Sequence, residues 1–361
     1  MSAVRIHVVG PGELGDDEAD VWRALRATSG APANPFMEPE FTRAVGRVRP
    51  RARVAVLREG GDPVGFLPYE TGPLGRGRAI GLGVSDCQGA VLRAGLGVTA
   101  PELLRGCGLA AWEFDNLEAG QSTFLTGAAE EFAAPVIDVT EGYAAYEAVL
   151  RVRSPTFLRT TLAKERRLGR REGPVRLVLD ERDPAVLRTL MAWKSAQYRR
   201  TGRRDRFAQD WISTLVRDLH TTRAPGCSGL LSVLYVADRP VAAHFGLRSR
   251  TVLSCWFPAY DPAYAPYSPG LVLHLRMAEA AAGAGIGMLD LGRGAAEYKD
   301  ALKTGELRVY EGAATGPGPL AGLHRLSREP ARRAHRFVRA RPRLARRVRQ
   351  ALDRAGRLRG R

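Results

Sequence analysis

Three strand-like runs in succession constrain the fold of this chain more than any other feature of its sequence. Residues 230–237, 240–248 and 252–260 are apolar over most of their length, and short polar turns separate them. Runs of this length with turns this tight predict an antiparallel meander. The middle of the second half is therefore expected to be a sheet.

Helical patterns on both sides extend this sheet into a mixed α/β fold. Their apolar residues recur at the spacing of one helix face. The elements predicted around the meander are a strand at 175–179, helices at 184–200 and 208–221, and then a helix at 270–282, a strand at 288–291, a short helix at 297–303 and a strand at 307–311. The predicted order of the second half is β-α-α-β-β-β-α-β-α-β.

The first half also mixes strands and helices. Its clearest signal is a hairpin, because strand patterns at 53–58 and 64–71 stand on either side of the Glu59-Gly60-Gly61-Asp62 turn. The other elements predicted here are strands at 5–9, 112–115 and 135–139 and helices at 18–28, from 39, 142–152 and 156–171.

Length and the breaks in these patterns predict two domains and a tail. A chain of 361 residues is long for one domain. Two helical patterns meet at Ser154-Pro155, with Ser154 as the expected N-cap and Pro155 at the first helical position. We therefore predict two tandem domains at 1–153 and 154–315, followed by a basic helical tail at 316–361.

The net charge of +17 is concentrated at the C-terminal end. Residues 324–361 contain 15 arginines and only two acidic residues, Glu329 and Asp353, which leaves +4 for the first 323 residues. A nearly neutral body is not expected to form a nucleic-acid groove. For the tail, contact with tRNA, contact with an anionic membrane and a loosely packed arm all remain open.

The four cysteines predict neither disulfides nor a metal site. Cys87, Cys107, Cys227 and Cys255 are widely spaced and form no CxxC pair, so we expect no zinc and no other metal. The sequence has no apolar run long enough to span a bilayer, and its first residues do not resemble a signal peptide. The expected location is the cytoplasm, with peripheral membrane contact through the tail as an option.

Several phrases, in the right order, resemble a known family. They are NPFMEPEF at 34–41, VGFLPY at 64–69, GLLSVLYVADRPVAAHFG at 229–246, YDPAYAPYSPG at 260–270 and DLGRGAAEYK at 290–299. Over residues 20–312 the chain resembles CelD-type acyltransferases, relatives of FemAB in the GNAT superfamily. The resemblance implies two GNAT-like lobes, with the second as the active lobe. A clear Arg/Gln-x-x-Gly-x-Gly/Ala signature is missing, so the resemblance bears on the fold more than on CoA.

A donor site is predicted where the meander ends and the next helix begins. Ser268 is the expected N-cap and is followed by Pro269, while Gly270 would let a ligand approach the backbone. Free backbone N–H groups and the helix dipole at such a position suit a pyrophosphate. An ordinary capped helix is the alternative interpretation.

The DLGRG phrase is the second candidate for ligand binding. It ends a strand with two glycines, and ligands of open α/β sheets bind at such strand ends. Arg293, next to Gly294, is a candidate clamp for a phosphate or carboxylate, and Asp290 is a candidate acceptor for the proton of an amine. The alternative is a glycine turn with a salt bridge.

Tyr298 and Lys299 are the preferred catalytic pair. Only four of the 55 basic residues are lysines, so a lysine at this position favours a specific role. The resemblance associates an aromatic–Lys pair here with acyl transfer. Lys299 would stabilise an oxyanion and Tyr298 would protonate a leaving thiolate. A solvated helix face would accept both residues as well.

The meander supplies the remaining candidates. His244 lies on its central strand and is a candidate base or substrate-orienting residue, although a lone histidine in an apolar strand is more often part of the core. Aromatic residues crowd the following segment. Trp256, Tyr260 and Tyr264 are candidates for an acceptor pocket, with the core as the alternative.

Three functions fit these observations. The first is an N-acyltransferase that uses acyl-CoA, such as acetyl-CoA, and passes the acyl group by direct attack to an amine of a small molecule or of a cell-envelope or natural-product precursor. The second is a FemAB-like transferase that uses aminoacyl-tRNA. The third is a non-catalytic accessory of polysaccharide assembly. The sequence does not identify the acyl chain, the acceptor or the oligomeric state.

Overall fold

Both halves of the chain contribute to one continuous sheet. The computed structural model describes residues 4–125, 129–294, 296–324 and 326. In the first half the elements are β1 Arg5–Val9, α1 Asp16–Ala27, α2 Pro39–Val48, β2 Ala52–Glu59, β3 Asp62–Thr71, β4 Arg76–Ala79, β5 Val91–Leu92, α3 Ala100–Gly106, β6 Ala111–Glu118, β7 Glu130–Asp138, α4 Tyr143–Arg153 and α5 Pro155–Glu172.

The second half follows its predicted order element by element. Its elements are β8 Val175–Val178, α6 Pro184–Arg200, α7 Asp210–Thr221, β9 Ser228–Val236, β10 Arg239–Arg248, β11 Val252–Tyr260, α8 Pro269–Gly283, β12 Met288–Asp290, α9 Glu297–Leu302 and β13 Gly305–Thr315. The meander is β9, β10 and β11, paired antiparallel. The mixed α/β class predicted from sequence is confirmed.

Helices cover both faces of the meander, which explains why its strands are apolar almost throughout. Alternate side chains of β9 enter different cores: Leu231 and Val233 pack with α6 and α7, while Leu230 and Leu234 pack with α5 and α8. Successive residues of a strand point to opposite faces, so a strand buried on both faces needs apolar residues at nearly every position.

The last strands of the two halves exchange places. The strand order is β1-β2-β3-β4-β6-β13-β7-β12-β11-β10-β9-β8, so β13 lies between β6 and β7. β7 in turn pairs with β12 of the second half. The two halves thus run inward from the edges in the same pattern, as expected for tandem lobes, but each lobe is completed by a strand from the other.

The predicted boundary between residues 153 and 154 falls between α4 and α5, and it remains a prediction. Pro155 does begin α5, but the side chain of Ser154 makes no capping hydrogen bond, which corrects the expected cap. Within the described residues, no helix is both long and apolar enough to cross a bilayer. Residues 327–361, most of the predicted tail, lie outside the described part of the chain.

The pairing of β11 with β12 positions the site. These strands run parallel for three residue pairs, the last of which joins Ser254 to Asp290. β12 then ends, whereas β11 continues to Tyr260. From Cys255 onward, therefore, this edge of β11 has no strand beside it within the described residues, and a gap opens between β11 and the residues after β12.

Candidate active site

A cleft of about 830 Å³ occupies the gap where β11 and β12 separate. Its walls come from β11, from α6 and the loop after it, from the first turns of α8 and from residues within 291–294 and 296–299. The first half contributes Asp86. Eight of the eleven predicted site residues line this cleft: Trp256, Tyr260, Ser268, Gly270, Arg293, Gly294, Tyr298 and Lys299.

Lys299 lies in the wall of the cleft and is almost fully buried. Its Nζ donates to the carbonyl oxygen of Gly292 at 2.9 Å and to that of Arg293 at 3.3 Å. Burial lowers the pKa of this amine, while the carboxylates of Asp86 and Asp290 act in the opposite direction. An ammonium group has three N–H donors, so one remains for a ligand after these two bonds.

Tyr298 stands beside a histidine that sequence reasoning did not single out. The Tyr298 ring lies 5.5 Å from the ring of His274 on α8. Burial raises the pKa of Tyr298 to about 12, so its hydroxyl keeps its proton at neutral pH and can act as an acid. The His274 Nδ1 donates to the Gly270 carbonyl at 2.7 Å, which leaves the lone pair of a neutral ring on Nε2.

Asp86 is the one acidic side chain in the cleft wall among the described residues. Its carboxylate lies against Gly292, where an added Cβ would be 3.2 Å from Oδ2. Burial, together with the nearby carboxylate of Asp290, raises the pKa of Asp86 to about 7. A carboxylate with this pKa is suited to accept a proton near neutral pH.

Gly292 is required by its geometry. Its φ of +71° lies in the left-handed region, and an added side chain would also meet Asp86. The same residue accepts the hydrogen bond from Lys299. Gly292 therefore brings the carboxylate and the ammonium group to one point of the cleft.

Asp290 does not line the cleft, which corrects its predicted contact with an amine. It is buried, and its Oδ2 accepts from the Asn34 side chain at 3.2 Å while its Oδ1 accepts from the Gly292 N–H at 2.9 Å. Burial raises the pKa of this carboxyl to about 6. Asp290 thus fixes the turn at Gly292 and ties it to the first half.

His244 is also held away from the cleft. A bulge in the pairing of β10 with β11 leaves Trp256 without a pairing partner, and its backbone N–H donates to the His244 Nε2 at 3.0 Å. Burial holds the pKa of this ring well below its usual range. The structure corrects the predicted base: His244 is a neutral core residue that supports the bulge.

The start of α8 has the expected position but a different cap. Ser268 adopts φ 51°, ψ 52° and makes no capping bond through its side chain, so the predicted cap is corrected. Instead, its Oγ accepts from the Lys164 Nζ of α5 at 2.8 Å. Pro269 has no N–H, and the N–H groups of Leu271 and Val272 donate to the Ser268 carbonyl. Gly270 is left as the first-turn donor.

Arg293 is committed to contacts within the protein. Its guanidinium donates to the Asp115 carbonyl and to Glu311 and lies over the Phe132 ring, 4.0 Å from the centroid. These partners correct the predicted phosphate clamp and match the alternative, a glycine turn with a salt bridge. Gly294, with a φ of +113°, lies at the open side of this turn.

The three aromatic residues predicted for the acceptor pocket differ in their positions relative to the cleft. Trp256 lines the cleft but also packs against Phe36, Phe41 and Phe257. Tyr260 lines the cleft next to Gly270. Tyr264 packs on the core beneath α8 and is not part of the cleft wall, which corrects its assignment to the acceptor pocket.

Sequence reasoning missed two further groups of cleft residues. One is Lys194 on α6, whose Nζ donates to the Pro258 carbonyl at 2.8 Å; burial first, and then nearby cations, lower its pKa to about 8. The other is the basic loop after α6, with Arg203, Arg204 and Arg206. The scarcity of lysine was a usable signal, because Lys194 and Lys299 line the cleft and Lys164 contacts its rim.

Parts of this chain are similar to known proteins. Residues 157–300 match the profile of the Acetyltransferase (GNAT) domain family. No curated protein matches the chain by sequence. Among solved structures, FemX superposes with a TM-score of 0.59 at 11% identity and covers 89% of this chain and 99% of that chain.

Two further structures have comparable folds. A tandem GNAT protein from the clavulanic acid biosynthesis pathway has a TM-score of 0.50 at 12% identity, with 88% of this chain and 100% of that chain covered. The C-terminal domain of a putative lysylphosphatidylglycerol synthetase from Agrobacterium fabrum has a TM-score of 0.51 at 16% identity, with coverages of 79% and 90%. Residues 157–300 are thus a GNAT acetyltransferase domain by sequence, and the whole fold, with its tandem lobes, is similar to those of FemX and the tandem GNAT protein.

Proposed function

We propose that this protein is an N-acyltransferase that transfers an acyl group from an acyl-CoA, such as acetyl-CoA, directly to an amine. The observation that carries the proposal is the position of the cleft. Within the matched GNAT domain, it opens where β11 and β12 part, and Tyr298 and Lys299 stand in its wall.

The start of α8 has the chemistry to hold the anionic part of such a donor. The Gly270 N–H and the positive end of α8 face the cleft beside Ser268. The ammonium group of Lys164 reaches Ser268 from α5. An added Cβ at Gly270 would come no closer than 3.6 Å to Tyr260, so the glycine leaves open space in front of the helix.

Three side chains have chemistry that suits the transfer. Asp86 accepts a proton from the amine as the amine nitrogen bonds to the acyl carbon. The remaining N–H of Lys299 stabilises the negative charge that develops on the acyl oxygen. Tyr298 donates its proton to the thiolate as the carbon–sulfur bond breaks. The products are an amide and the free thiol; Asp86 then releases the proton that it accepted to solvent, and solvent returns a proton to Tyr298.

Direct attack is supported by the state of the nearest thiol. Cys255 lines the cleft, but it is nearly buried, and burial raises the pKa of its thiol far above neutral. The thiolate is the nucleophilic form of cysteine. A covalent acyl-cysteine intermediate is therefore disfavoured.

Calorimetric titration with acetyl-CoA, followed by a transfer assay over a panel of amines, tests the proposal. We expect saturable binding of acetyl-CoA and release of free thiol that depends on the amine. Absence of acetyl-CoA binding by the folded protein would contradict the proposed donor.

A second candidate function is aminoacyl transfer from a charged tRNA, with FemX and the lysylphosphatidylglycerol synthetase domain as structural relatives. A specific feature favours it. Helix α5, which supplies Lys164, also exposes Arg159, Arg166, Arg170 and Arg171. The basic tail would add to binding of tRNA or of an anionic membrane.

The salt dependence of donor binding distinguishes acyl-CoA from a charged tRNA. Binding through phosphates weakens with a log–log slope of about −0.7 to −0.9 per phosphate neutralised. A chain without residues 324–361 should keep turnover with acetyl-CoA within a few-fold. Steep salt dependence of tRNA binding, together with loss of activity on truncation, would favour the second candidate.

A further inference from the structure

One face of α6 is turned toward the cleft. Lys194, Gln197 and Tyr198 all line it, and their spacing of three and four residues places them on the same side of the helix. The loop that follows brings Arg203, Arg204 and Arg206 to the same wall. None of these residues is used by the chemistry proposed above.

Two residues that line the cleft, one on α6 and one on β11, each have a buried polar atom without a partner in the described part of the chain. The Gln197 Oε1 and the Trp256 Nε1 make no hydrogen bond to any described residue. Buried polar atoms are normally paired in folded proteins. An acceptor and a donor left open on residues of the cleft are available to pair with groups of a bound molecule.

The charge of this wall is also unbalanced. Within the described residues, Lys194, Arg203, Arg204 and Arg206 form no ion pair with a carboxylate, whereas the neighbouring Asp205 turns away to Ser195 and Arg199. The one carboxylate in the described cleft wall is Asp86. The wall therefore has an excess of positive charge that an anionic group would offset.

A contact places Arg206, one of these cations, at the Asp86 end of the cleft. The guanidinium of Arg206 donates to the Gly83 carbonyl, three residues before Asp86. The nearby positive charge of Arg206 also counteracts the rise in the pKa of Asp86. Lys164 and Gly270, in contrast, stand at the start of α8. The two groups of anion-binding residues are thus on different elements.

We propose that the acceptor is an amine that also carries an acid group, either a carboxylate or a phosphate. The acid group binds Arg203, Arg204, Arg206 and Lys194, and the amine then lies beside Asp86 and the thioester. The inference rests on the proposed acyltransferase function and names the class of its acceptor. Guanidinium groups suit both acids, because their fork of N–H donors matches two oxygens.

Matched pairs of amines test the proposal. The transfer assay with acetyl-CoA compares β-alanine with propylamine and phosphoethanolamine with ethanolamine. The wild-type protein is measured beside the double variant Arg203→Gln/Arg204→Gln and a control, Arg188→Gln. Arg188 is exposed on α6 outside the cleft wall. Calorimetry measures the Kd of acetyl-CoA for each protein.

We expect each acidic amine to have a KM at least tenfold below that of its neutral partner. The double variant should raise the KM of the acidic amines at least tenfold and leave the neutral amines within twofold. The Kd of acetyl-CoA should not change, and Arg188→Gln should behave as the wild type. The pair with the larger ratio identifies the acid group, carboxylate or phosphate.

Two outcomes would overturn the inference without affecting the proposed function. One is transfer to neutral amines that equals or exceeds transfer to acidic ones. The other is a weaker Kd for acetyl-CoA in the double variant, which would assign the arginines to the donor. If acetyl-CoA binds and no amine is acylated, the proposed function fails. Binding of phosphoethanolamine over ethanolamine, measured by calorimetry, then decides the inference alone.

Discussion

The two halves of this chain share a strand order but differ at the corresponding gap. In each half a strand runs parallel to the next for three residue pairs, β4 with β6 and β11 with β12. In the second half β11 continues past its partner, and a cleft opens. In the first half, residues 80–88 turn back beside β6, where the Gln88 N–H donates to the Asn116 carbonyl at 2.9 Å.

The side chain of Gln88 completes this closure. Its Nε2 donates to Ser85 and to Asp115, and its Oε1 accepts from the backbone N–H groups of Asp115 and Asn116. The first half is thus the closed half, because its own chain fills the gap, and the second is the open half, because a cleft remains there. The segment that closes the first gap also presents Asp86 to the second. The first lobe therefore supports the site of the second.

The largest expected effect comes from the open half. Lys299→Ala removes a cation from the cleft wall, and loss of one such donor typically costs about 100–1,000-fold in turnover. Lys303→Ala is the matched control, because Lys303 pairs with Asp300 and Glu306 outside the cleft. Steady-state turnover with acetyl-CoA is the measurement. If Lys299→Ala is as active as Lys303→Ala, Lys299 has no role in the mechanism.

Asp86 tests whether the closed half takes part in chemistry. We expect Asp86→Asn to lower kcat/KM about 100-fold at pH 8 and to abolish the rise in activity through pH 7 that ionisation of a carboxyl with a pKa of about 7 produces. Asp238→Asn, on the exposed turn between β9 and β10, is the control. A pH profile unchanged by Asp86→Asn would assign the base elsewhere, with His274 as the next candidate.

The same variant should be more stable than the wild type at high pH. Because the folded state raises the pKa of Asp86 from 3.8 to about 7, it binds the proton more tightly than the unfolded chain. The wild type therefore loses stability as pH rises from about 4 to 7. Asn carries no such cost, so its advantage in Tm is largest above pH 7 and shrinks as pH falls. An inactive variant with this thermal behaviour is folded.

Gln88 tests the closure itself. Gln88→Ala leaves buried N–H groups of β6 without an acceptor, and each such group costs about 1–3 kcal/mol. We expect the free energy of unfolding to fall by about 2 kcal/mol and turnover to fall as Asp86 loses its support. Gln121→Ala is the comparison, since among the described residues the Gln121 side chain bonds to the backbone of Ala90 alone. Equal stability of the Gln88 variant and the wild type would contradict the closure as a structural requirement.

Gly270 tests the donor end of the open half. Gly270→Val fits the backbone, since an added Cβ meets nothing closer than 3.6 Å, but its branched side chain would stand in front of the helix start. We expect the Kd of acetyl-CoA to rise about tenfold while the fold is kept. Gly283→Val, at the other end of α8 and with open space around its Cα, is the control. The Kd of acetyl-CoA is measured by calorimetry for both variants. Equal Kd values would show that the donor binds elsewhere than at the start of α8.

Much of this fold was predictable because its signals are local. The meander, the hairpin of β2 and β3 and the start of α8 each depend on residues close in sequence. The exchange of β7 and β13 was not predictable, since nothing in the sequence of either strand indicates which strand it pairs with. The bond between Asn34 and Asp290, 256 residues apart, likewise depends on the assembled sheet.

The site residues were predictable where their residue type is rare in this chain. Lys299 stood out because lysine is rare in this chain, and the same argument applied to Lys194 would have found a second cleft residue. Asp86 lies in a segment without periodicity, and its role depends on the closure of the first gap. His244 and Arg293 were misjudged because their partners, the Trp256 N–H and Glu311, become visible only once β10, β11 and β13 are in place.

Hydrogen–deuterium exchange with and without acetyl-CoA tests the difference between the two halves most directly. We expect acetyl-CoA to slow exchange in peptides covering 255–272, which contain the open edge of β11 and the start of α8. Exchange in β4 and β6 should stay unchanged, because that gap is already filled by residues 80–88. Slower exchange in β4 and β6 without an effect at 255–272 would contradict the assignment of the donor site to the second half.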